Sequence, residues 1–294
     1  MQTLARPTLL ALGLALGVLA CGTEPSDAQI VTTERIPTTL RENGAPIFLE
    51  MVIHKPEGSG PFPTVVFNHG STGNGSDSTR FTQTWSSPSF SRVANALGWM
   101  VVFPQRRGRG KSDGRYDEGF EPDRSRYSCN PLHSLPGLER AMEDVDAVVA
   151  HLRTRTDVVQ GRMVVAGQSR GGILAIAYAG TRPGVFLGAI NFVGGWMSDG
   201  CPEAEAINTV SFRRGAGTRA PTLWLYGEND PFYSMSHSRR NFEAFRAAGG
   251  VGAFFWYALP GGGNGHMLIA HPDRWREPVE EFLDGLPAAP APGP

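Results

Sequence analysis

The sequence predicts an α/β fold: a mostly parallel sheet of seven or eight strands, flanked by helices. Three observations carry this. Strand-like and helix-like segments alternate from residue 30 onward, the order that a parallel sheet with crossover helices requires. Several strand-like runs, such as "TVVFN" and "MVVA", are short and almost wholly apolar, as strands buried on both faces are. No internal repeat and no Pro/Ser-rich linker divides the 294 residues, so one domain is expected over 45–286.

The N-terminus is expected to lie outside that domain. After Arg6 comes the apolar run "TLLALGLALGVLAC", shorter than the roughly 20 residues that span a bilayer. Residues 1–20 therefore read as a secretory signal peptide. The run ends in Val18-Leu19-Ala20-Cys21, which resembles a bacterial lipobox. Lipidation of Cys21, with anchoring in the bacterial cell envelope, is the expectation. Leu19 is a less usual occupant of its position, so ordinary cleavage to a secreted or periplasmic protein is the alternative. Residues 21–44 then supply a polar tether, "GTEPSDAQ", and an N-terminal strand.

Strands are predicted at Phe48–His54, Thr64–Asn68, Trp99–Pro104, Met163–Ala166, Leu187–Val193, Thr222–Tyr226 and Ala253–Leu259, where β-branched, aromatic and other apolar residues concentrate. Helices are predicted at Phe90–Leu97, Gly137–Arg153, Gly171–Ala179, Ser236–Ala248 and Pro272–Leu283. Of these, "LERAMEDVDAVVAHLR" places Leu138, Met142, Val145, Val148, Val149 and Leu152 on one helical face. The stretch Gly194–Ala220 is too short for a large cap domain. An open pocket, shaped by that loop and by Arg107–Pro136, is expected. The tail 287–294, "PAAPAPGP", reads as disordered.

The chemistry centres on "VVAGQSRGG", residues 164–172. A strand, then Gly-x-Ser-x-Gly, then a helix is the context in which Ser169 becomes a nucleophile on a sharp turn. The glycines remove Cβ clashes there, and the N–H of Arg170 would face a developing oxyanion. A serine hydroxyl needs a base, and in this strand–turn–helix architecture the acid and the histidine follow the serine in the chain. Strand Thr222–Tyr226 runs into "GENDPF", which offers Asp230, with Glu228 as the competing acid. The loop "PGGGNGHMLI" offers His266 as base. His54, His69, His133 and His151 precede the serine, His237 begins a helix and His271 adjoins Pro272, so none fits this order. In "VVFNHGSTGNG", Ser71 is expected to give the second oxyanion N–H, with Thr72 next in preference and His69 holding the loop.

With His69-Gly70, Gly167-Gln168-Ser169-Arg170-Gly171, Gly227-Glu228-Asn229-Asp230 and Gly265-His266 assembled, the chain resembles the α/β-hydrolase superfamily over roughly residues 45–285. It is closest in pattern to the dienelactone hydrolase and prolyl oligopeptidase-like group. "RRGRGKSDG" is also similar to the Gly-x-Gly-x-Ser loop of many such enzymes. The resemblance implies a serine hydrolase acting on small-molecule carboxylic esters through an acyl-enzyme. Dienelactone hydrolases proper use cysteine where this chain has Ser169, which turns the expectation from dienelactones toward esters. A prolyl oligopeptidase-like peptidase and a non-catalytic, surface-anchored binding protein with this fold are the alternatives.

Other chemistries are set aside. A net charge of −1 offers no general nucleic-acid surface. "GRGKS", residues 108–112, lacks the first glycine of a phosphate loop, because Gln105 stands there. Its arginines, interspersed with Asp113, Asp117, Glu118, Glu121 and Asp123, read as a solvated loop. No histidine pair or Cys-x-x-Cys has metal-ligand spacing, so neither metal nor cofactor is expected. Nothing in the sequence sets the oligomeric state. Of the three cysteines, Cys129 and Cys201 remain beside Cys21. They fall in loops leaving the sheet edge that carries Ser169, Asp230 and His266, and a Cys129–Cys201 disulfide across the pocket entrance is expected.

Overall fold

The structure, a computed structural model, describes residues 29–287. The signal peptide, Cys21 and residues 288–294 of the tail lie outside the described residues. The strands are β1 (Ile30–Glu42), β2 (Ala45–Lys55), β3 (Phe62–Asn68), β4 (Met100–Pro104), β5 (Val158–Gln168), β6 (Gly188–Phe192), β7 (Thr222–Gly227) and β8 (Gly252–Tyr257). They form one eight-stranded sheet in the order β1-β2-β4-β3-β5-β6-β7-β8. Only the pairs β1·β2 and β2·β4 are antiparallel; the rest of the sheet is parallel. The helices are α1 (Pro88–Ala96), α2 (Pro131–Leu152), α3 (Arg170–Thr181), α4 (Ala204–Arg214), α5 (Met235–Ala247) and α6 (Pro272–Asp284).

The first two strands form a hairpin closed by Asn43-Gly44, both at positive φ (51° and 80°), the backbone that a tight two-residue turn demands. Almost every residue of β3, β4, β6 and β7 is buried, as is Met163–Gly167 of β5, so the middle of the parallel sheet is covered on both sides, while the edge strand β8 is more open. Helices α1 and α6 pack on each other, where Phe90 stacks on Trp275 at 5.8 Å. Helices α2, α3, α4 and α5 form a continuous row of contacts. The α/β-hydrolase arrangement expected from the sequence is present, with no large cap domain among the described residues.

Three elements differ from expectation. Strand β5 starts at Val158, five residues before the predicted Met163, because Gln160, Gly161 and Arg162 interrupt its apolar run and mask its start. Helix α2 starts at Pro131, six residues before the predicted Gly137, and carries Pro136 inside its first turns. Pro131 stands at the first helical position, where an N–H has no partner in any case, whereas Pro136, in the second turn, forgoes the bond that an N–H there would give the Leu132 carbonyl. Helix α4 lies where the sequence pattern predicts only a loop. Its buried residues are Ala204, Ile207, Asn208, Ser211 and Phe212, a helical stripe in which two polar residues mask the apolar period.

Candidate active site

Strand β5 ends in the turn that holds Ser169, whose φ of 56° and ψ of −123° are unusual for a side chain with a Cβ. The flanking glycines make the turn possible. A Cβ on Gly167 would stand 2.2 Å from the Gly171 backbone, and one on Gly171 would stand 2.1 Å from the Asn68 carbonyl. Ser169 N–H donates to the Phe192 carbonyl at 2.9 Å, which ties the turn to the end of β6. The serine thus sits at the N-cap of α3, where helix N–H groups and the helix dipole favour negative charge.

Asp230 follows β7 and His266 follows β8, both at the same sheet edge. His266 Nδ1 lies 2.8 Å from Asp230 Oδ2, and the Asp230 side chain is fully buried. Asp230 Oδ1 accepts the N–H groups of Phe232 and Tyr233 at 2.8 and 3.2 Å. Both carboxylate oxygens are therefore engaged, and the aspartate is acceptor-only toward the imidazole. This fixes the Nδ1–H tautomer of neutral His266 and leaves Nε2 free to take a proton. Asn264 caps the His266 N–H at 2.9 Å, and Gln168 Nε2 holds the His266 carbonyl at 3.0 Å. Glu228, the competing acid, is exposed and its N–H is bonded to the Tyr257 carbonyl; it is not brought to the imidazole.

Ser169, His266, Ser71 and Arg170 line one pocket of about 420 Å³. Tyr127, Cys129, Trp196, Met197 and Cys201 also line it, with Phe232 and Tyr233 beside the histidine. Cys129 and Cys201 are disulfide-bonded, their Cα atoms 5.8 Å apart. Gly70 runs close by Ser169, and a Cβ built on it would lie 3.1 Å from Ser169 Cβ. The Ser71 N–H makes no hydrogen bond among the described residues, whereas the Thr72 N–H donates to the Tyr127 hydroxyl at 3.2 Å. Of the two candidates for the second oxyanion donor, only Ser71 has its N–H unoccupied. His69 is fully buried and neutral: burial first, then Arg106 and Arg109, hold its pKa well below the usual value.

Several functional residues escaped the sequence. Arg106, Arg107 and Arg109, read as part of a solvated loop, are buried. Arg106 and Arg107 can be, because the chain supplies carboxylates inside: Glu118 meets Arg106 Nε at 2.6 Å and Asp144 meets Arg107 Nε at 2.5 Å. Arg109 instead donates to the Arg80 carbonyl and lies against the Tyr116 ring. The Arg170 guanidinium is also buried, 3.6 Å from the Tyr127 ring centre and 4.7 Å from that of Trp196. Asn208 on α4 accepts the N–H groups of Trp196 and Met197 at 2.8 and 3.0 Å, and so shapes the pocket wall. Tyr233 donates its hydroxyl to the Gly195 carbonyl at 2.6 Å and has the Ser169 side chain as a second polar neighbour. Among the described residues no cluster of His, Cys, Asp and Glu could hold a metal ion.

The sequence pattern of the dienelactone hydrolase family matches residues 49–271. No curated protein matches the chain. Solved structures resemble it in fold. The Pyrococcus furiosus esterase Pf2001 is 15% identical with a TM-score of 0.60, covering 88% of this chain and 92% of its own. Est1E from Butyrivibrio proteoclasticus, solved with ferulic acid, is 15% identical with a TM-score of 0.58, covering 83% and 96%. The acylaminoacyl peptidase of Pyrococcus horikoshii is 16% identical with a TM-score of 0.56, covering 86% of this chain and 41% of its own. At these identities the likeness is one of architecture.

Proposed function

Since the chain belongs to the dienelactone hydrolase family, we propose that it is a serine hydrolase that cleaves small carboxylic esters through an acyl-enzyme. One observation carries the reading: the buried Asp230 is bonded to His266 at 2.8 Å, and that imidazole shares a pocket with a serine held on a strained strand-to-helix turn. Ser169 Oγ attacks the ester carbonyl while His266 Nε2 takes its proton. Asp230 holds the tautomer and stabilises the imidazolium. The carbonyl oxygen becomes an oxyanion that receives hydrogen bonds from the N–H groups of Arg170 and Ser71. When the tetrahedral species collapses, His266 returns the proton to the departing alcohol. Water then enters, is deprotonated by the same imidazole, and releases the acid from Ser169. Each oxyanion donor contributes on the order of 10²–10³ in rate in enzymes of this kind.

The test is a panel of p-nitrophenyl esters set against proline-containing peptides, together with fluorophosphonate labelling. Ester turnover and covalent labelling at Ser169 are expected, with Ser169→Ala unlabelled. Cleavage of the peptides in preference to the esters would make it a peptidase. A chain that neither labels nor turns over any ester would be a binding protein.

The cell-envelope location is proposed on the pattern of residues 1–21. The Cys129–Cys201 disulfide supports export, since such bonds persist in oxidising compartments. Cys21→Ser should move the protein out of the membrane fraction or block its processing. A mature chain beginning elsewhere, without lipid, would refute the anchor.

A further inference from the structure

Glu118 is 2% exposed, and tethers to both sides of the oxyanion loop converge on it. Its Oε1 accepts from Arg106 Nε at 2.6 Å. Arg106 in turn donates from Nη2 to the His69 carbonyl at 3.0 Å and from its backbone N–H to His69 Nε2 at 3.2 Å. Glu118 Oε2 accepts the Tyr116 hydroxyl at 2.9 Å, and the Tyr116 and Tyr127 hydroxyls are 2.7 Å apart. Tyr127 Oη receives the Thr72 N–H at 3.2 Å and lies 2.9 Å from Thr72 Oγ1. Because a carboxylate only accepts, this chain runs one way: Thr72 donates to Tyr127, Tyr127 to Tyr116, and Tyr116 to Glu118. A third tether leaves the backbone, where the Glu118 carbonyl accepts from Arg170 Nη1 at 2.7 Å.

Position is what this arrangement supplies. A buried ion pair is a weak stabiliser compared with well-packed apolar residues of the same size, yet the chain makes room for this one. A Cβ on Gly137 would stand 2.2 Å from the Glu118 carbonyl carbon, and one on Gly119 would stand 2.6 Å from Ser134 Cα. The turn that carries Glu118 is thus pressed backbone to backbone against the start of α2.

We propose that Glu118 is the positioning residue of the oxyanion hole: its carboxylate holds the chain on both sides of Gly70-Ser71, and its carbonyl holds the Arg170 side chain, so that both N–H donors are set before substrate arrives. The inference rests on the serine-hydrolase reading above. Donors aimed at an oxyanion act on the transition state and little on bound ester. Losing their alignment therefore lowers kcat and leaves KM in place.

Glu118→Gln keeps the shape but sets a donor against either Arg106 or Tyr116, and Tyr127→Phe cuts the tyrosine chain while keeping the ring under Arg170. The experiment measures kcat and KM on a p-nitrophenyl ester, labelling by a fluorophosphonate, and affinity for a trifluoromethyl ketone, which forms an oxyanion on the serine. Glu118→Gln should lose about 10- to 100-fold in kcat, part of what a whole donor contributes. KM should change less than about 2-fold, and ketone affinity should fall by the same factor as kcat. Tyr127→Phe should move the same quantities in the same direction, and the double variant should lose less than the product of the two. A folded Glu118→Gln with wild-type kcat, or with reduced kcat and undiminished ketone affinity, overturns the proposal. If Glu118→Gln does not fold, Tyr127→Phe takes its place, and the same two outcomes in that variant overturn the proposal. Wild-type protein that fails to label overturns the serine-hydrolase reading itself. Labelled wild type with unchanged variants overturns only the role of Glu118.

Discussion

On the proposed mechanism, Ser169→Ala and His266→Ala are each expected to reduce ester turnover by about 10⁴-fold or more, because a nucleophile and its base act as a unit. Ser169→Ala removes a polar neighbour of Tyr233 and His266→Ala removes the partner of Asp230 Oδ2, but the backbone bonds at both positions are kept. Ser169 is tied to its surroundings through its backbone N–H and carbonyl, and His266 lies partly open to the pocket. Circular dichroism should therefore match wild type. Asp230→Asn should lose about 10³- to 10⁴-fold, since an amide can turn a donor toward Nδ1 and select the wrong tautomer. Glu228→Gln should stay near wild type. Steady-state rates on a single ester decide between the two acids, and a larger loss at Glu228 would overturn the assignment of Asp230.

The second large effect concerns stability. Cys129 and Cys201 are 72 residues apart in sequence, and closing a loop of that size removes about 4 kcal/mol of unfolded-state entropy in the chain-entropy model, less any strain. Reduction, or a Cys129→Ser/Cys201→Ser pair, should lower the melting temperature by about 10 °C, taking roughly 2–4 °C per kcal/mol for a chain of this size. Both half-cystines line the pocket, whereas His266 and Asp230 are held by Asn264, Gln168 and the N–H groups of Phe232 and Tyr233. Reduction should therefore change the ranking of esters by chain length more than the labelling rate of Ser169. An unchanged melting temperature, read by differential scanning calorimetry with and without reductant, would show that the bond does not stabilise the fold.

The parts of the fold legible in the sequence are those where one physical demand excludes most residues. Strands β3, β4, β6 and β7, and β5 over Met163–Gly167, are buried on both faces, so their runs are largely apolar and short. The serine turn brings backbone within about van der Waals contact of backbone, so Gly167 and Gly171 are required. Asn43-Gly44 carries an equally direct hairpin signal, one that the expectation of a single strand within residues 21–44 leaves unused. Helix α4 is illegible because Asn208 and Ser211 face inward. Each is satisfied there, Asn208 by the pocket loop and Ser211 Oγ by the Ile207 carbonyl at 2.7 Å. The buried arginines are hidden for a related reason. "RRGRG" next to acidic residues looks solvated, and only the fold shows that Arg106 meets Glu118, or that Arg170 reaches the Glu118 carbonyl from 52 residues away.

Chemistry and walls of the pocket come from different parts of the chain. Ser169, Asp230 and His266 stand at the ends of β5, β7 and β8, where any shift of backbone propagates into the sheet. Tyr127, Cys129, Trp196, Met197 and Cys201 belong to two connections that contribute no strand. A lineage carrying this fold can therefore change its diet without relearning how to cut. A laboratory library confined to Trp196, Met197 and their neighbours in the β6–α4 connection would sample new substrates while leaving the strand ends, and the Glu118 and Tyr127 tethers of the other connection, unaltered.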